Sequence, residues 1–511
     1  MATAPKPAIT KSTTIRLKPD TTSAYANGMS ARWALADALS GGSEAMRRMG
    51  KEVLPQHANE TDAVYTARVT RSFLLPIFAQ TVENLTDIVF SQPMKLDENV
   101  PDDLLMLLED VDAEGNSIDA FARLFFANTL AKGECYVIAD EPPIEPAADG
   151  KVVTLADRRN QNVRPYLAMI TADNMLAFES VTRGGVSTVT YARWRETEVR
   201  QGDDFVETVV QRVIEWRPGK WRRFERVGSS DWGAPEDGSL NFKKDGKDYL
   251  PIRRYRIGQV DAMGLLLPPL HGLAEKNVEH WQSASDQRAI LTVSRFPMLG
   301  GSGVNSDDLE RDASGNTSGG IVVGPNVTLF ARDPQSKFYY VEPGGTAISA
   351  GKDDLERLET DMAHLAYQPL MKQQAGVTAT KDALGQNKAN SSLAAWADGL
   401  GEVLDQAIAF LSMWQGKEPP RTAVKVNDEF GIDVIDAVRV TALQAMRAAG
   451  DISRVQYLRQ MSREGILDEE FDAEANDAEL ESEGPAMAAD PALDLNADTD
   501  EEEALLPEEA A

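Results

Sequence analysis

The chain has 511 residues, 42% apolar and 26% charged, an ordinary balance for a folded protein with room for two or three packed sub-domains. Its 81 acidic against 52 basic side chains give a formal net charge of −29. That excludes a conventional nucleic-acid binder, whose affinity comes largely from Lys and Arg at phosphates. The single cysteine, Cys135, excludes an intrachain disulfide and a cysteine-based zinc site, and it fits a reducing compartment.

The charge is unevenly spread. Residues 468–511 hold 18 acids and no Lys or Arg, so the other 467 residues carry 63 acids against 52 bases. The body is mildly acidic and the tail strongly so; a tail of that composition is expected to be disordered. Met1 to Lys18 contains Pro5 and Pro7 and lacks the apolar stretch of a signal peptide. No apolar run approaches the roughly 18 residues that span a bilayer, and Met263 to Leu270 is far too short. A soluble chain made in the cytosol, with no membrane partner, is expected.

Residues 1–28 are polar and Pro/Thr-rich and predict an extended or mobile arm. Ser30 is a candidate N-cap for a helix over 31–49, weakened by Gly41 and Gly42. Val69, Phe73, Ile77, Val82, Leu85 and Val89 fall at helical spacing within 61–90, and Pro76 predicts a kink or break there. A helix from about 101 carries Leu104, Leu105, Leu107 and Leu108. After the turn Asp112 to Gly115, another runs from Ser117 to Gly133 and buries Phe121, Leu124, Phe125 and Leu130. Cys135 to Ile138 predicts a buried strand, and 141–165 a loop. Alternation in Thr188 to Trp194 and Thr208 to Trp216 predicts an antiparallel sheet within 166–260, with a hairpin turn at Arg217 to Lys220.

From Pro268-Pro269 the pattern changes. Leu270, Leu273, Trp281, Ala284 and Leu291 share a helical stripe over 270–293. A glycine-rich stretch, 296–345, contains strand-like Gly320 to Val323 and Lys337 to Val341, and a second long helix covers 346–372. A polar segment, 373–390, leads to a helix over 391–415 with Leu393, Trp396, Leu400, Leu404 and Phe410. A short strand at Ala423 to Val426 precedes two helices near 432–449 and 453–464. The fold class predicted is α+β, mainly helical. Two long helices joined by a small β excursion make a stalk with a tip, which a ring can pack side by side and a monomer has little reason to build.

Catalytic signatures are absent. Gly233 to Gly238 has the spacing of a phosphate-binding loop but is followed by Ser239, and Gly300 to Gly303 lacks the full nucleophile-elbow pattern. There is no HExxH, and four histidines leave little material for acid–base chemistry. Acidic pairs such as Asp307-Asp308 and Asp353-Asp354 are more often solvated than metal-binding. The expectation is no enzyme, no cofactor and no metal. His271, Glu275 and Glu279, with His280 beside them, can share a helix face either as metal ligands or as an ion-paired polar surface. Trp194, Arg195, Trp216, Arg217, Lys220, Trp221, Arg222, Arg223 and Arg226 mix aromatic and basic residues as single-strand binders do. Yet Trp216 and Trp221 flank a hairpin, where cross-strand pairing is the ordinary explanation.

The segment Leu266 to Gly303 holds Pro269-Leu270, Leu273-Ala274, Asn277, His280-Trp281 and Ser283 to Asp286, then Phe296-Pro297 and Leu299. In this it resembles tailed-bacteriophage portal proteins of a family catalogued as of unknown function. Tyr65, Arg68 and Arg71 before Val89-Phe90 fit the same family, as does the Asp112, Gly115, Phe121 and Gly133 pattern. So do Gly324-Pro325, Val341-Glu342, Gly345 with Ala347-Ile348, Thr378 to Thr380, Ser391 to Leu393, Gly450, Ile452-Ser453 and Gly465 to Leu467. The likeness runs in consistent order over about 60–470, outside the N-terminal arm and the acidic tail.

The resemblance implies a portal-type architecture: a 1–28 arm, a wing over 29–263 and stem helices over 264–295 and 346–372. A clip over 296–345, a tunnel loop over 373–390, a wing helix and strand over 391–430 and crown helices over 431–467 precede the 468–511 tail. It implies a homo-oligomeric ring of about twelve subunits at one capsid vertex of the virion, assembled in the host cytoplasm. Its partners would be the terminase large subunit, a head–tail adaptor, and the major capsid and scaffold proteins. Duplex DNA would pass through with weak non-specific contact. Lys372, Lys381 and Lys388, bracketing the tunnel loop, then become candidate DNA-channel residues, or else ordinary solvated lysines. The competing expectation is a different structural adaptor of the head–tail junction; a terminase-like ATPase would need the nucleotide loop that is missing.

Overall fold

The computed structural model describes residues 18–142, 161, 163–202, 205–294, 298–302, 335, 337–341, 345–366, 379–427, 437–463 and 476. The expected loop over 141–165 lies largely outside these residues, and strand 320–323, Lys372 and nearly all of the acidic tail lie wholly outside them. The chain divides into two compact units, Met1–Phe430 and Gly431–Ala511.

The first unit opens with α1 (Ala24–Ser40) and α2 (Gly42–Met49). The N-cap is Ser23, whose hydroxyl accepts from the Ala26 N–H at 3.1 Å, rather than Ser30. Burial decides this: Ala26, Met29 and Trp33 face inward against Ala172 and Leu266, so the apolar periodicity starts one turn before Ser30. The chain expected to be mobile up to residue 28 is therefore engaged from about Asp20, which pairs with Arg226, and the Ser23 N–H donates to the Leu176 carbonyl at 2.8 Å.

Next come α3 (Asp62–Arg71), α4 (Ile77–Val89), β1 (Lys95–Leu96), α5 (Asp102–Leu108) and α6 (Ile118–Lys132). Pro76 separates α3 from α4, as a residue without an N–H should. Ser117 caps α6 and Gly133, at φ 85°, ends it in the left-handed conformation. A Cβ on Gly133 would also lie 2.7 Å from Leu266.

Strands β2 (Glu134–Asp140), β3 (Tyr166–Thr171), β4 (Met175–Arg183), β5 (Val186–Gln201), β6 (Glu207–Arg217), β7 (Lys220–Val227) and β8 (Glu236–Gly238) follow. After the short hairpin β9 (Lys243–Lys244) and β10 (Lys247–Asp248) come β11 (Ile252–Arg256), β12 (Gln259–Val260) and β13 (Leu266–Leu267). Strand β2 lies between β11 and β3 in a three-stranded antiparallel sheet, while β4 to β8 form a five-stranded meander. Trp216 sits opposite Trp221 across the hairpin, as the sequence predicts, and Gly219 takes φ 77° in its turn. The ring that packs edge-on against Trp216 is Trp194 of the neighbouring strand, at 5.0 Å.

Helix α7 (His271–Ser294) leads to strand β14 (Met298–Ser302), which pairs antiparallel with β15 (Lys337–Val341); α8 (Gly345–Leu365) follows. Helix α9 (Ala379–Trp414) begins at Ala379, inside the segment expected to be a loop, and β16 (Val424–Lys425) pairs with β1. At 1.5 Å per residue α9 is about 54 Å long, and its apolar stripe of Leu400, Leu404, Ile408 and Leu411 is fully buried. It packs in one core with Phe125, Phe126 and Leu130 of α6 and with Tyr136 and Ile138 of β2. The Trp414 indole N–H donates to the Ala139 carbonyl at 3.0 Å, fixing the far end of α9 on the sheet. The fold is α+β, and no helix among the described residues is long and apolar enough to cross a membrane.

The second unit holds α10 (Ala437–Ala449) and α11 (Arg454–Arg463). They meet at a turn where Gly450 takes φ 82°, and Met461 is buried.

Candidate functional site

Helix α7 changes character along its length. Its first half buries Leu273, Ala274 and Trp281, together with Leu270 just before it, but also the polar Asn277 and His280. Beyond Trp281 the inward positions become polar, and the expected stripe residues Ala284 and Leu291 are only half-buried. A helix that buries polar side chains must give them partners, because an unpaired buried group costs about 1–3 kcal/mol. Most of those partners come from the α3–α4 junction and from α8, although His280 Nδ1, Trp281 Nε1 and Ser294 Oγ are buried without one among the described residues.

The Pro76 break leaves the start of α4 without a side-chain cap of its own. Asn277, fully buried, supplies one: its Oδ1 accepts from the Phe78 N–H at 3.1 Å and its Nδ2 donates to the Leu75 carbonyl at 2.9 Å. One amide thus bonds a backbone group on either side of Pro76, sharing the Leu75 carbonyl with the Ile77 N–H. Ser72 and Ser285 share a hydrogen bond of 2.9 Å, and the Gln282 amide donates to the Val53 carbonyl at 2.8 Å.

Arg68 of α3 completes the junction. Its guanidinium makes two hydrogen bonds to Glu60 (2.9 and 2.8 Å), one to the Pro55 carbonyl at 2.7 Å and one to Asp286 of α7 at 3.3 Å. It also lies over the Tyr65 ring, whose hydroxyl donates to the Leu54 carbonyl at 3.0 Å. Arg68 and Glu60 are each only 6% exposed at the side chain. Hydrogen bonds from Arg68 hold the Glu60 carboxyl below its ordinary range, and the same bonds raise the guanidinium. Tyr65, Arg68, Asn277, Ser285 and Asp286, from motifs separated by about two hundred residues of sequence, therefore meet as one clamp at the root of α7.

On another side α7 binds α8. The Gln287 amide donates to the Ile348 carbonyl at 2.8 Å, Ser283 donates to Asp354 at 2.8 Å, and His280 Nε2 stands 3.5 Å from Glu359. Partner numbers fall on α8 as they rise on α7, so the helices run antiparallel. Gly351 leaves room for the Gln287 amide, which a Cβ there would displace. Leu358, Met362 and Ala366, buried at i, i+4 and i+8, supply the apolar seam.

The proposed metal ligands do not converge. His271 faces Glu275 at 3.4 Å, Glu279 is bonded by Lys276 at 2.6 Å, and His280 turns to Glu359. Burial keeps the His271 imidazole below its ordinary value, with Glu275 opposing. No metal-holding group of three or more such side chains occurs among the described residues. Of the mixed aromatic and basic set, Trp194 and Trp216 are buried and Trp221 is half-buried; Arg217, Arg223 and Arg226 are engaged by Glu215, Glu236 and Gln211, while Lys220 and Arg222 are exposed.

Lys381 and Lys388 lie on α9, seven positions apart, and Lys372 is outside the described residues. No described contact joins the three. The residues that sequence reasoning alone passed over are Glu60, Ser72 and Gln282, whose partners are too distant in the chain for any periodicity to connect them.

A family model described as "Domain of unknown function (DUF4055)" matches residues 269–415, which span α7, the β14–β15 pair, α8 and α9. No curated protein matches the sequence. Among solved structures the chain is similar to a chain in the virion of a native gene transfer agent particle, at 13% identity and TM-score 0.39, covering 82% of this chain and 98% of that one. It is also similar to a chain in the neck of an empty gene transfer agent particle computed with C6 symmetry, at 14% identity and TM-score 0.40, covering 80% and 95%. A third, from the neck of a native particle computed with C12 symmetry, has 13% identity and TM-score 0.38, covering 77% and 90%.

Proposed function

We propose that the chain is a portal subunit: one member of a closed ring at the head–tail junction of a tailed-phage-like particle, through which DNA enters and leaves. The observation that carries this is the antiparallel α7–α8 stalk, rooted by the Arg68–Asn277 clamp and joined beyond its far end through β14 and β15. The clamp also supports the sequence resemblance, because the motif residues that suggested it do a shared structural job. Beside the stalk root, Val64 and Phe73 are 57% and 58% exposed, apolar surface of the kind that a neighbouring subunit covers.

On this reading the chain has no chemistry of its own, and clean protein does not hydrolyse ATP. A mildly acidic channel wall repels phosphates and avoids the counterion-release binding that would stall passage. Lys372, Lys381 and Lys388 then offer transient phosphate contacts from the start of α9 and the segment before it. Replacing all three with Ala alters packaging or DNA retention without preventing ring formation; unchanged packaging would remove that role. Terminase, a head–tail adaptor, capsid and scaffold proteins are the partners this reading calls for.

The test is negative-stain electron microscopy of the purified full-length chain. Closed rings of about twelve subunits with an open axial channel support the reading. Filaments, or a closed oligomer with no channel, overturn it in favour of another head–tail adaptor.

A further inference from the structure

A groove of about 570 Å³ lies between the 57–61 segment, α3 and the second half of α7. Val64, Ala289 and the methyl-bearing Thr292 line its apolar part, and Arg71 and Arg288 stand in it. Arg68 and Glu60 also border it, but they neutralise each other. Asp286 is occupied by Arg68 and His57, each at 3.3 Å. Arg71 donates to the Ala67 carbonyl and reaches Thr292 Oγ1 at 3.5 Å, and neither Arg71 nor Arg288 has a carboxylate partner among the described residues. In an acidic body, this is a groove with two uncompensated cations.

The opposite charge lies on α8. That helix carries five carboxylates, Asp353, Asp354, Glu356, Glu359 and Asp361, against Lys352 and Arg357. Asp353, Glu356 and Glu359 are exposed. Asp353 has no cation partner among the described residues, while Glu356 exchanges an exposed i, i+4 pair with Lys352 at 3.1 Å that a neighbour's arginine would have to share. The two surfaces are well separated around α7. Ser285, Arg288, Ala289 and Thr292 face the groove, whereas His280, Ser283 and Gln287 face α8. At 100° per residue these sets point roughly 160° apart. A subunit therefore cannot fold its own α8 into its own groove.

We propose that the groove receives the acidic face of α8 from a second copy of this chain, Arg71 and Arg288 pairing with Asp353 and Glu356 of that neighbour. Different patches on nearly opposite sides of one stalk make a head-to-tail contact, and repetition of such a contact closes into a ring when the rotation permits. The pairing rests on the ring reading and names its contact: charge sets the register of neighbouring stalks, while Val64 and Phe73 supply buried apolar area.

The experiment uses the full-length chain and two charge-reversed variants, R71E/R288E and D353K/E356K, with assembly followed by mass photometry and negative stain. Each reversal alone should raise the concentration at which the assembly dissociates by about tenfold or more. Combining both reversals in one chain should restore assembly, because the groove and α8 have then exchanged signs. All four side chains sit at the surface, so unchanged thermal melting verifies the fold; if a reversal melts early, R71Q/R288Q must show the same loss. Rings that form equally well in every variant would overturn the pairing and leave the ring reading standing. So would a combined variant that is folded yet not rescued. A wild-type chain that never closes into a ring would overturn both.

Discussion

Two regions of the first unit are held together by different physics. The floor, made by α6, β2 and α9, is apolar: Phe125, Phe126, Leu400 and Leu404 are fully buried, and shape and volume dominate. The stalk root, where α7 crosses the α3–α4 junction, depends on Arg68, Asn277, Ser72 and Ser285, each bonded to an atom that only that geometry presents. An apolar floor tolerates related side chains of similar volume. A polar root does not tolerate isosteres, and that fits a part that must hold one direction.

The largest expected effect tests the floor. Phe125→Ala should cost about 4 kcal/mol of unfolding free energy in chemical denaturation, whereas Phe125→Leu should cost about 1–2. Equal losses would mean that the floor is as shape-specific as the root.

At the root, Arg68→Met should cost about 3 kcal/mol because it strands the buried Glu60 carboxylate. That loss carries a pH signature. The folded-state value of Glu60 is depressed, so its contribution is present above the ordinary carboxylate range and disappears as pH falls through the folded value. Wild type and Arg68→Met should therefore converge in acid; a gap that persists unchanged at low pH would assign the loss to packing instead.

Asp140, at the end of β2, behaves in the opposite sense. Burial and the nearby Glu196 push its carboxyl up to about 7. A raised value means that the fold favours the neutral acid, so stability falls as pH climbs from the free-aspartate value of about 4 towards that raised value. Asp140→Asn should stabilise the chain on the order of 2 kcal/mol at mildly alkaline pH and have almost no effect in acid. A pH-independent difference would contradict the assignment. Asn277→Leu, nearly the same size but unable to bond Phe78 or Leu75, should also cost about 2 kcal/mol. Smaller still, Ser72→Ala should cost about 1 kcal/mol, and a double-mutant cycle with Ser285→Ala should recover most of it as coupling.

The same contrast explains what the sequence disclosed. The floor was legible because burial repeats locally: the Ser117 cap, the Phe121 and Phe125 spacing and Gly133 mark α6 without reference to anything distant. Alternation and the Arg217 to Lys220 turn likewise marked β6 and β7. Helix α1 was misplaced because Ser23 and Ser30 are equally good caps, and only contacts with Ala172 and Leu266 favour the first. The start of α9 was missed because 379–390 is polar and carries no stripe to follow. Root residues such as Asn277 and Asp286 entered only through family likeness, since their partners, Leu75, Phe78 and Arg68, lie some two hundred positions away. Arg288 gave no signal at all; an arginine without a partner is visible only once its neighbours are in place.

The most direct test of the account is a cryo-electron microscopy reconstruction of the purified assembly that resolves where α7 and α8 stand. A portal subunit should give a closed ring of about twelve subunits, with α7 and α8 of successive copies side by side around a bore wide enough for duplex DNA. Stalks pointing away from the axis, or an assembly without a through-channel, would contradict it.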